Sequence, residues 1–449
     1  MGKDIESIRK GIEDREKGLK RAFSQGQMIM MAIGSAIGTG LFLGSGFAIK
    51  LAGSGTAVSY VLGALIAYSV GTALAEMTKL FPSPGAFGNH AEIFISRYLG
   101  FLVKFMYWFA EAFAIGADLA AASIYMSYWF HEVSPVIWIV IFGAMLFLLN
   151  SISVNVLGAV EYALSTIKVS VILLFIIIGS YILLHPSEFG LISTTPFFQD
   201  ISQRGFTGIW LATVVAIYSF IGVEVVGVTS GEARNPEIDS PRALRAVVIL
   251  LTFLYVSSII AIVNLVPEGS AGLTESPFVL VFNKVNIPAA ASLVNFVILT
   301  AALSGANTNL YLTSRMLFSL ARGGLAPSFL GKLNRFRSPF NALAASMVGV
   351  VVTTVLSYSF GSSLSYLIVF GVAAFGGIFT WMAILASHIS FSLNFRKRGI
   401  PLKSLLGLMA LMGVLISTIV TPGIEVTVPS GLIVIAIISI VYRLLNRGK

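Results

Sequence analysis

Long apolar runs, separated by short charged or Pro- and Gly-rich breaks, dominate the pattern of this chain. A helix needs about 20 apolar residues to cross the hydrocarbon core of a bilayer. The runs therefore predict twelve membrane-spanning helices, here called segments 1 to 12 in chain order. They cover residues 27–49, 57–80, 98–130, 135–153, 160–184, 206–230, 244–267, 289–321, 340–358, 363–392, 403–421 and 430–446.

The composition supports this interpretation and excludes a water-soluble globule. Of 449 residues, 56% are hydrophobic and only 11% are charged, whereas soluble domains carry roughly 25% charged residues. Cysteine is absent, which excludes disulfides and thiolate metal sites. Residues 1–26 mix acidic and basic side chains without an apolar core, unlike a secretory signal peptide. We expect them to form a cytoplasmic N-terminal tail.

The distribution of positive charge predicts how the chain is oriented in the membrane. Lysine and arginine number 29 against 20 acidic residues, giving a net charge of +9. If both termini are cytoplasmic, 24 of the 29 lie in the tails or loops on that side or flank them near the ends of segments, and three lie on the outer side. This bias follows the positive-inside rule. It predicts an even number of crossings of the cell membrane and explains the excess charge without nucleic-acid binding. Lys168 and Arg315 remain inside apolar segments.

Two segments are interrupted by glycine. Segment 1 contains Gly34-Ser-Ala-Ile-Gly-Thr-Gly40, and segment 6 contains Tyr218-Ser-Phe-Ile-Gly-Val-Glu224. Such glycines often serve close helix packing. Paired interruptions in matching halves of a chain instead indicate broken helices around a central site. Free N–H groups at a break can hold a carboxylate, and free carbonyls can hold an ammonium. The backbone of an amino acid needs both.

These residues resemble a known family. Residues 34–42 resemble the first-helix signature of the amino acid–polyamine–organocation superfamily, and residues 220–224 with 231–236 resemble its sixth-helix signature. Residues 147–154 and 314–322 are similar to bacterial amino-acid permeases, including lysine permeases. The resemblance covers about residues 22–400 in order. The last two segments carry little of it.

The resemblance implies an all-α polytopic membrane protein with twelve transmembrane helices. Its core would be a 5+5 inverted repeat in which helices 1 and 6 are broken. The first repeat would cover residues 27–184, and the second would cover residues 206–392. Residues 403–446 would then form two peripheral helices.

The resemblance also implies a substrate site at the two breaks. The substrate carboxylate would lie on Thr39 and Gly40, and the amino group would meet carbonyls of Ala36, Tyr218 and Ile221. Tyr218 stands where related exchangers carry a gating Trp. The expected substrate-binding residues are Ala36, Gly38, Thr39, Gly40, Asp118, Tyr218, Ile221 and Glu224.

Lys168 in segment 5 is the expected proton-coupling residue, together with Glu224. Burial can bring the proton exchange of a lysine into the physiological range. In proton-coupled relatives, a lysine here resembles a replacement for a sodium ion between segments 1, 5 and 8. Two alternatives stay open for Lys168: its ammonium could reach the inner surface, or it could pair permanently with Glu161, seven residues away on the same face.

The other membrane carboxylates also allow two interpretations. Intramembrane acidic residues are functional candidates by default. Glu111 and Asp118 share one face of segment 3, but either could be structural, for example through a pair with Arg315. Glu224 could sense substrate or proton, or it could satisfy backbone donors at the break in segment 6.

The sequence therefore predicts a secondary transporter that imports L-amino acids by proton symport with alternating access. An amino-acid exchanger of the same fold is the alternative, and a membrane sensor or channel is a weaker one. No catalytic motif or metal-ligand spacing is present. We expect no cofactor other than the coupling proton, no enzymatic activity, membrane lipids as surroundings, and a monomer or homodimer. Whether the substrate is cationic or neutral stays open.

Overall fold

A computed structural model of the chain describes residues 24–82, 85–152, 157–186, 197–230, 233–266, 272–284, 288–336 and 338–446. Within these ranges the regular elements are helices, and no β-strand occurs. Helices satisfy their backbone hydrogen bonds internally, which lipid surroundings require. The all-α membrane class predicted from the apolar runs is therefore confirmed.

The helices of the first half of the chain include one that is split into short pieces. They are α1 (Gln25–Ala36), α2 (Thr39–Phe42), α3 (Gly44–Ala52), α4 (Thr56–Leu80), α5 (Ala86–Phe94), α6 (Arg97–Ser127), α7 (Pro135–Ile152) and α8 (Leu157–Leu184).

The second half contains a corresponding interruption between its first two helices. Its helices are α9 (Phe197–Phe220), α10 (Val225–Thr229), α11 (Pro236–Leu265), α12 (Pro277–Lys284), α13 (Pro288–Arg322), α14 (Phe340–Ser346), α15 (Val348–Phe360), α16 (Ser362–Ser390), α17 (Leu402–Ser417) and α18 (Thr427–Asn446).

Ten helical stretches among the described residues are long and apolar enough to cross a membrane. One of them, Gly44–Leu80, runs from the end of predicted segment 1 through segment 2. The apolar helix Pro135–Ser151 is shorter. The described structure therefore supports a multi-pass protein with about ten spans, and the count of twelve stays a prediction.

The core is built around α6 and α16, which pack against each other along their lengths. An 18-residue apolar window was taken from each membrane-length helix. The buried share of that window is 72% for α6 and 78% for the stretch Ser362–Phe395, which contains α16. By contrast, only 28% is buried in Leu402–Val420 and 17% in Thr427–Leu444. The last two helices thus lie at the edge of the bundle and leave the central helices to form its interior.

Several boundaries differ from the sequence-based prediction. Predicted segment 7 begins at residue 244, but α11 begins at Pro236. Proline is favoured in the first helical turn, and Glu237 and Asp239 complement the positive end of the helix there. Predicted segment 9 is two helices, α14 and α15, that meet at Met347. The short helices α5 and α12 were not predicted, because neither is an apolar run of membrane length.

The start of the first helix is also fixed by local chemistry. Ser24 is the N-cap of α1 and accepts the N–H of Gln27, while the Gln27 side chain accepts the N–H of Ser24. This reciprocal pair is a capping box. The predicted cytoplasmic tail covers residues 1–26, of which residues 1–23 lie outside the described part of the chain.

Candidate functional site

The first helix is broken at Ile37 and Gly38. α1 ends at Ala36, Ile37 has ψ 89°, and α2 begins at Thr39 after an extended Gly38. The first residues of a helix have N–H groups without an intrahelical acceptor. The break therefore leaves main-chain donors of α2 and main-chain acceptors of α1 at the middle of the bundle.

The second break lies between Phe220 and Val225. Gly222 has φ +114°, a conformation that residues with a Cβ adopt only with strain. The Glu224 carboxylate accepts the N–H of Gly222 at 3.1 and 3.0 Å and the indole N–H of Trp381 at 3.0 Å. Glu224 is 1% exposed. This arrangement satisfies a backbone donor at the break, which gives a geometric basis to the structural alternative for Glu224.

The two breaks are in direct contact. A Cβ placed on Gly222 would lie 2.6 Å from the backbone nitrogen of Ala36, and one on Gly40 would lie 2.9 Å from Cδ1 of Tyr218. Both distances are far too short for a methyl group. The main chains of segments 1 and 6 therefore approach as closely as they do only because glycine occupies these positions.

Asp118 of α6 connects to the first break. Thr39 Oγ1 donates a hydrogen bond of 2.7 Å to Asp118 Oδ1, and the carbonyl of Thr39 accepts the hydroxyl of Tyr366 at 3.1 Å. The partner that the structure gives Asp118 is thus Thr39, and the suggested pair with Arg315 is not formed. The Arg315 guanidinium instead lies 3.4 Å from the centre of the Tyr311 ring.

Lys168 of α8 points to the same region from the other side of α1. Its ammonium donates to the carbonyl of Gly34 at 2.8 Å and lies 3.8 Å from Glu161 Oε1. Glu161 in turn accepts the hydroxyl of Ser304 on α13 at 2.7 Å. Lys168 is 1% exposed, so its ammonium does not reach the inner surface. Segments 1, 5 and 8 therefore meet at the pair formed by Lys168 and Glu161.

A cavity of about 30 Å³ lies between the breaks and helices α6, α13 and α16. This is room for about two water molecules, so an amino acid enters only when the surrounding helices move apart. Its lining residues are Ser35, Ala36, Gly38, Thr39, Gly40, Ala110, Glu111, Ala114, Asp118, Tyr218, Ile221, Gly305, Asn309 and Ala373.

The cavity brings together most of the residues expected at the substrate site. Lys168 and Glu224 are the two that do not line it; they lie behind the first and second breaks, respectively. The lining residues expected from the sequence are Ala36, Gly38, Thr39, Gly40, Asp118, Tyr218 and Ile221.

Among the other lining residues, Glu111 was left open between a functional and a structural role, and the rest had no expected role in the site. Glu111 could have been included among the expected substrate-binding residues, because it lies on the same face of α6 as Asp118. Gly305 and Asn309 lie four residues apart on α13, and this spacing was a usable signal. Ala373 could not be found from the sequence, since a single alanine in an apolar helix carries no pattern.

An aromatic cluster lies on one side of the first break. The rings of Tyr218 and Phe370 are 4.4 Å apart, and those of Tyr366 and Phe370 are 5.7 Å apart. Tyr218 also lines the cavity and so connects this cluster to it, while Phe370 and Tyr366 do not line the cavity. The structure provides the contact partner, Phe370, that the sequence did not indicate.

Within the part of the chain that the structure describes, no group of three or more His, Asp or Glu side chains could hold a metal ion. The site offers main-chain dipoles, two carboxylates and a nearby ammonium.

Comparisons with known proteins show which sequences and structures this chain resembles. The sequence model described as "Amino acid permease" matches residues 27–443. The chain is 35% identical to a putative histidine permease of Bacillus subtilis, covering 88% of this chain and 84% of the relative. It is also 35% identical to the lysine-specific permease of Escherichia coli, covering 85% and 80%. A gamma-aminobutyric acid permease of Bacillus subtilis is 33% identical, covering 90% and 88%.

Solved structures share the fold at much lower identity. A manganese transporter of Eremococcus coleocola, crystallised as a point mutant, superposes with a TM-score of 0.57. It is 15% identical to this chain, and the match covers 97% of each chain. At this identity the likeness shows a common fold and nothing about the transported substrate.

Proposed function

Because this chain belongs to the amino acid permease family, we propose that it imports L-amino acids across the cell membrane by proton symport with alternating access. Membership of the family supports amino-acid transport by a multi-pass membrane protein. The coupling to protons rests on one observation. A fully buried lysine, Lys168, bonds the main chain of the broken first helix.

The substrate backbone would bind between the two breaks. Its carboxylate would accept the N–H groups of Thr39 and Gly40, and its ammonium would donate to carbonyls of Ala36, Tyr218 and Ile221. All five residues line the cavity. The contact between Gly222 and Ala36 keeps the two sets of groups close enough for one small zwitterion. The polar ends of both breaks would replace the hydration that the substrate loses on entry.

Lys168 would couple this site to the proton. A charged ammonium in the membrane interior is stable only with partners, and here they are the Gly34 carbonyl and Glu161. Gly34 lies two residues before Ala36 in the same helix. Loss of the proton would weaken the tie between α8 and α1, and α1 would then be free to move relative to the rest of the bundle. Release of the proton on the inner side would thereby accompany release of the substrate.

Glu224 contributes to the proposal through the second break. Its carboxylate holds the Gly222 N–H and the Trp381 indole, and so joins segment 6 to α16. A change in its protonation would alter the same break that presents the Tyr218 and Ile221 carbonyls. Glu224 would in this way act on substrate binding without lining the cavity.

The test is uptake into proteoliposomes by the wild type, Lys168→Ala and a matched control, Lys50→Ala. Lys50 is an exposed lysine at the end of α3, so its replacement removes an equal charge away from the site. A pH gradient, acidic outside, should drive the wild type and Lys50→Ala to accumulate labelled amino acid in vesicles without internal substrate. Lys168→Ala should lose at least nine-tenths of this accumulation.

Two results would contradict the proposal. Full gradient-driven accumulation by Lys168→Ala would remove the role of the lysine in coupling. Uptake by the wild type that requires preloaded internal amino acid, and ignores the pH gradient, would identify an exchanger instead of a symporter.

A further inference from the structure

Glu111 differs from the other carboxylates that surround the breaks. Asp118 accepts a hydroxyl from Thr39, Glu161 accepts one from Ser304, and Glu224 accepts two N–H groups. Glu111 is 6% exposed and lines the cavity. It has no hydrogen bond or ion pair with any residue that the structure describes. A carboxylate buried to this degree is costly without a partner.

The cavity supplies no positive charge to Glu111. Among the described residues, those that line it and carry charge are Glu111 and Asp118, and both are acidic. Lys168 lies behind the first break, where it bonds the Gly34 carbonyl and faces Glu161. On its own helix, Glu111 has the buried Tyr107 one turn away and the small apolar side chains of Ala110 and Ala114 beside it. A ligand that carries a cation to this end of the cavity would therefore meet a carboxylate that has no other partner in the described structure.

The position of Glu111 indicates which part of a substrate would reach it. Glu111 and Asp118 are seven residues apart on one helix face, which is ~10 Å along the axis at 1.5 Å per residue. Asp118 is fixed to Thr39 at the first break, where the proposed function places the substrate backbone. Glu111 thus lies about two helical turns beyond the contact between Asp118 and Thr39, a separation that the four-carbon stem of lysine can span.

We propose that Glu111 is a specificity-determining residue that holds the side-chain cation of a basic amino acid. The inference rests on the proposed function for the position of the substrate backbone. Lysine, arginine and ornithine combine a zwitterionic backbone with a terminal cation on a flexible stem. Small neighbours, Ala110, Ala114 and Ala373, leave space for the stem once the helices separate, and Asn309 offers an amide nearby.

The experiment compares ligand binding to purified wild type, Glu111→Gln and Glu132→Gln. Glutamine keeps the shape of the side chain and removes its charge, and Glu132 is an exposed carboxylate outside the cavity. Lysine and norleucine, which has the same stem without the ammonium, are titrated by thermal shift and isothermal calorimetry. For the wild type and Glu132→Gln, lysine should bind at least tenfold more tightly than norleucine. Glu111→Gln should weaken lysine binding at least tenfold and leave norleucine unchanged or improved.

Transport kinetics add a measurement that a structural role would not reproduce. Glu111→Gln should raise KM for lysine at least tenfold while gradient-driven accumulation at saturating lysine is retained. A lost response to the pH gradient would instead identify Glu111 as a proton carrier and overturn the inference. Equal weakening of lysine and norleucine would overturn it too, because it would show a general distortion of the site.

The outcomes separate this inference from the function on which it rests. Stabilisation of the wild type by neutral or acidic amino acids, but not by basic ones, would overturn the inference and leave amino-acid transport in place. Unchanged lysine affinity in Glu111→Gln would do the same. Absence of binding and transport for every amino acid would overturn the proposed function together with the inference.

Discussion

For charged residues in the membrane interior, the spacing along a helix predicts which side chains share a face, but not their contacts with other helices. A separation of seven residues places two side chains on one helix face, and Lys168 and Glu161 are indeed 3.8 Å apart. The same spacing relates Glu111 to Asp118, but only Asp118 has a partner among the described residues, on α2. Spacing within a helix was readable from the sequence. The partner on another helix was not, because it depends on how the helices pack.

A second group of buried polar residues lies around α5, a short helix outside the predicted membrane-spanning segments. Glu92 of α5 accepts a hydrogen bond from Lys104 at 3.3 Å, and both side chains are buried. His90 is fully buried, and its Nε2 lies 3.1 Å from the carbonyl oxygen of Phe81. This burial lowers the pKa of His90 to about 4 from the ordinary 6.5, because the apolar surroundings disfavour the imidazolium.

His90 should make folding stability sensitive to acid. Its pKa is lower in the folded state, so the unfolded state binds the proton more readily as the pH falls below 6.5. Stability is therefore complete above about pH 6.5 and declines until the pH reaches about 4, by up to about 3 kcal/mol. The melting temperature of the purified wild type should fall between pH 7 and pH 4.5, and that of His90→Gln should fall less. His131→Gln, which removes an exposed histidine, should behave as the wild type. Parallel curves for wild type and His90→Gln would contradict this assignment.

At the scale of helices, the two breaks were predictable from glycine, but the individual glycines have different roles. In segment 1 only Gly38 lies in the break itself. A Cβ on Gly34 would overlap the Glu161 and Ser165 side chains, and one on Gly40 would overlap Tyr218. Gly34 and Gly40 therefore permit close packing of helices, which was the competing interpretation of this motif. Both interpretations are correct, each for different residues.

The short helices and the local contacts at the second break could not be predicted from the pattern of glycine and apolar residues. α5 and α12 are 9 and 8 residues long, too short for a helical apolar period to be distinguished from a loop. The break in segment 6 was locatable because Gly222 precedes a carboxylate in an otherwise apolar helix. That Glu224 bonds the Gly222 N–H, two residues earlier, depends on the local turn, and the sequence alone left this open.

Gly222→Ala tests whether the meeting of the two breaks requires glycine. The variant combines an unfavourable positive φ with a Cβ that would lie 2.6 Å from the Ala36 nitrogen. Gly361→Ala is the matched control, since Gly361 also has a positive φ, of +81°, but no heavy atom lies within 4 Å of its Cβ position. Backbone strain from a positive φ costs about 1–3 kcal/mol and is present in both variants.

We expect Gly222→Ala to lose at least nine-tenths of amino-acid uptake and to melt several degrees below Gly361→Ala. The measurements are uptake into proteoliposomes and thermal unfolding of the purified variants. Equal uptake and equal melting temperatures in the two variants would show that the contact between the breaks is not needed.

For the whole molecule, the distribution of charge and the lengths of the helices give independent information on how many times the chain crosses the membrane. The positive-inside bias predicts that the loop between α6 and α7 and the loop between α16 and α17 face opposite sides. That requires an odd number of crossings between them. The helix α7 has 18 residues, which is ~27 Å long at 1.5 Å per residue. This is slightly shorter than the hydrocarbon core of about 30 Å, a mismatch that local thinning of the bilayer can absorb.

Accessibility of two introduced cysteines decides whether α7 crosses. The native chain contains no cysteine, so Glu132→Cys and Gly399→Cys each create a single reactive thiol at an exposed position. We expect a membrane-impermeant maleimide to label Glu132→Cys in intact cells, and Gly399→Cys only after the membrane is opened. With twelve crossings, seven helices cross the membrane between residues 132 and 399, so the two residues lie on opposite sides. If α7 does not cross, six crossings remain between them, and both residues lie on the same side. Labelling of both cysteines in intact cells, or of neither, would therefore exclude α7 as a crossing, and the reversed pattern would invert the orientation that the basic loops predict.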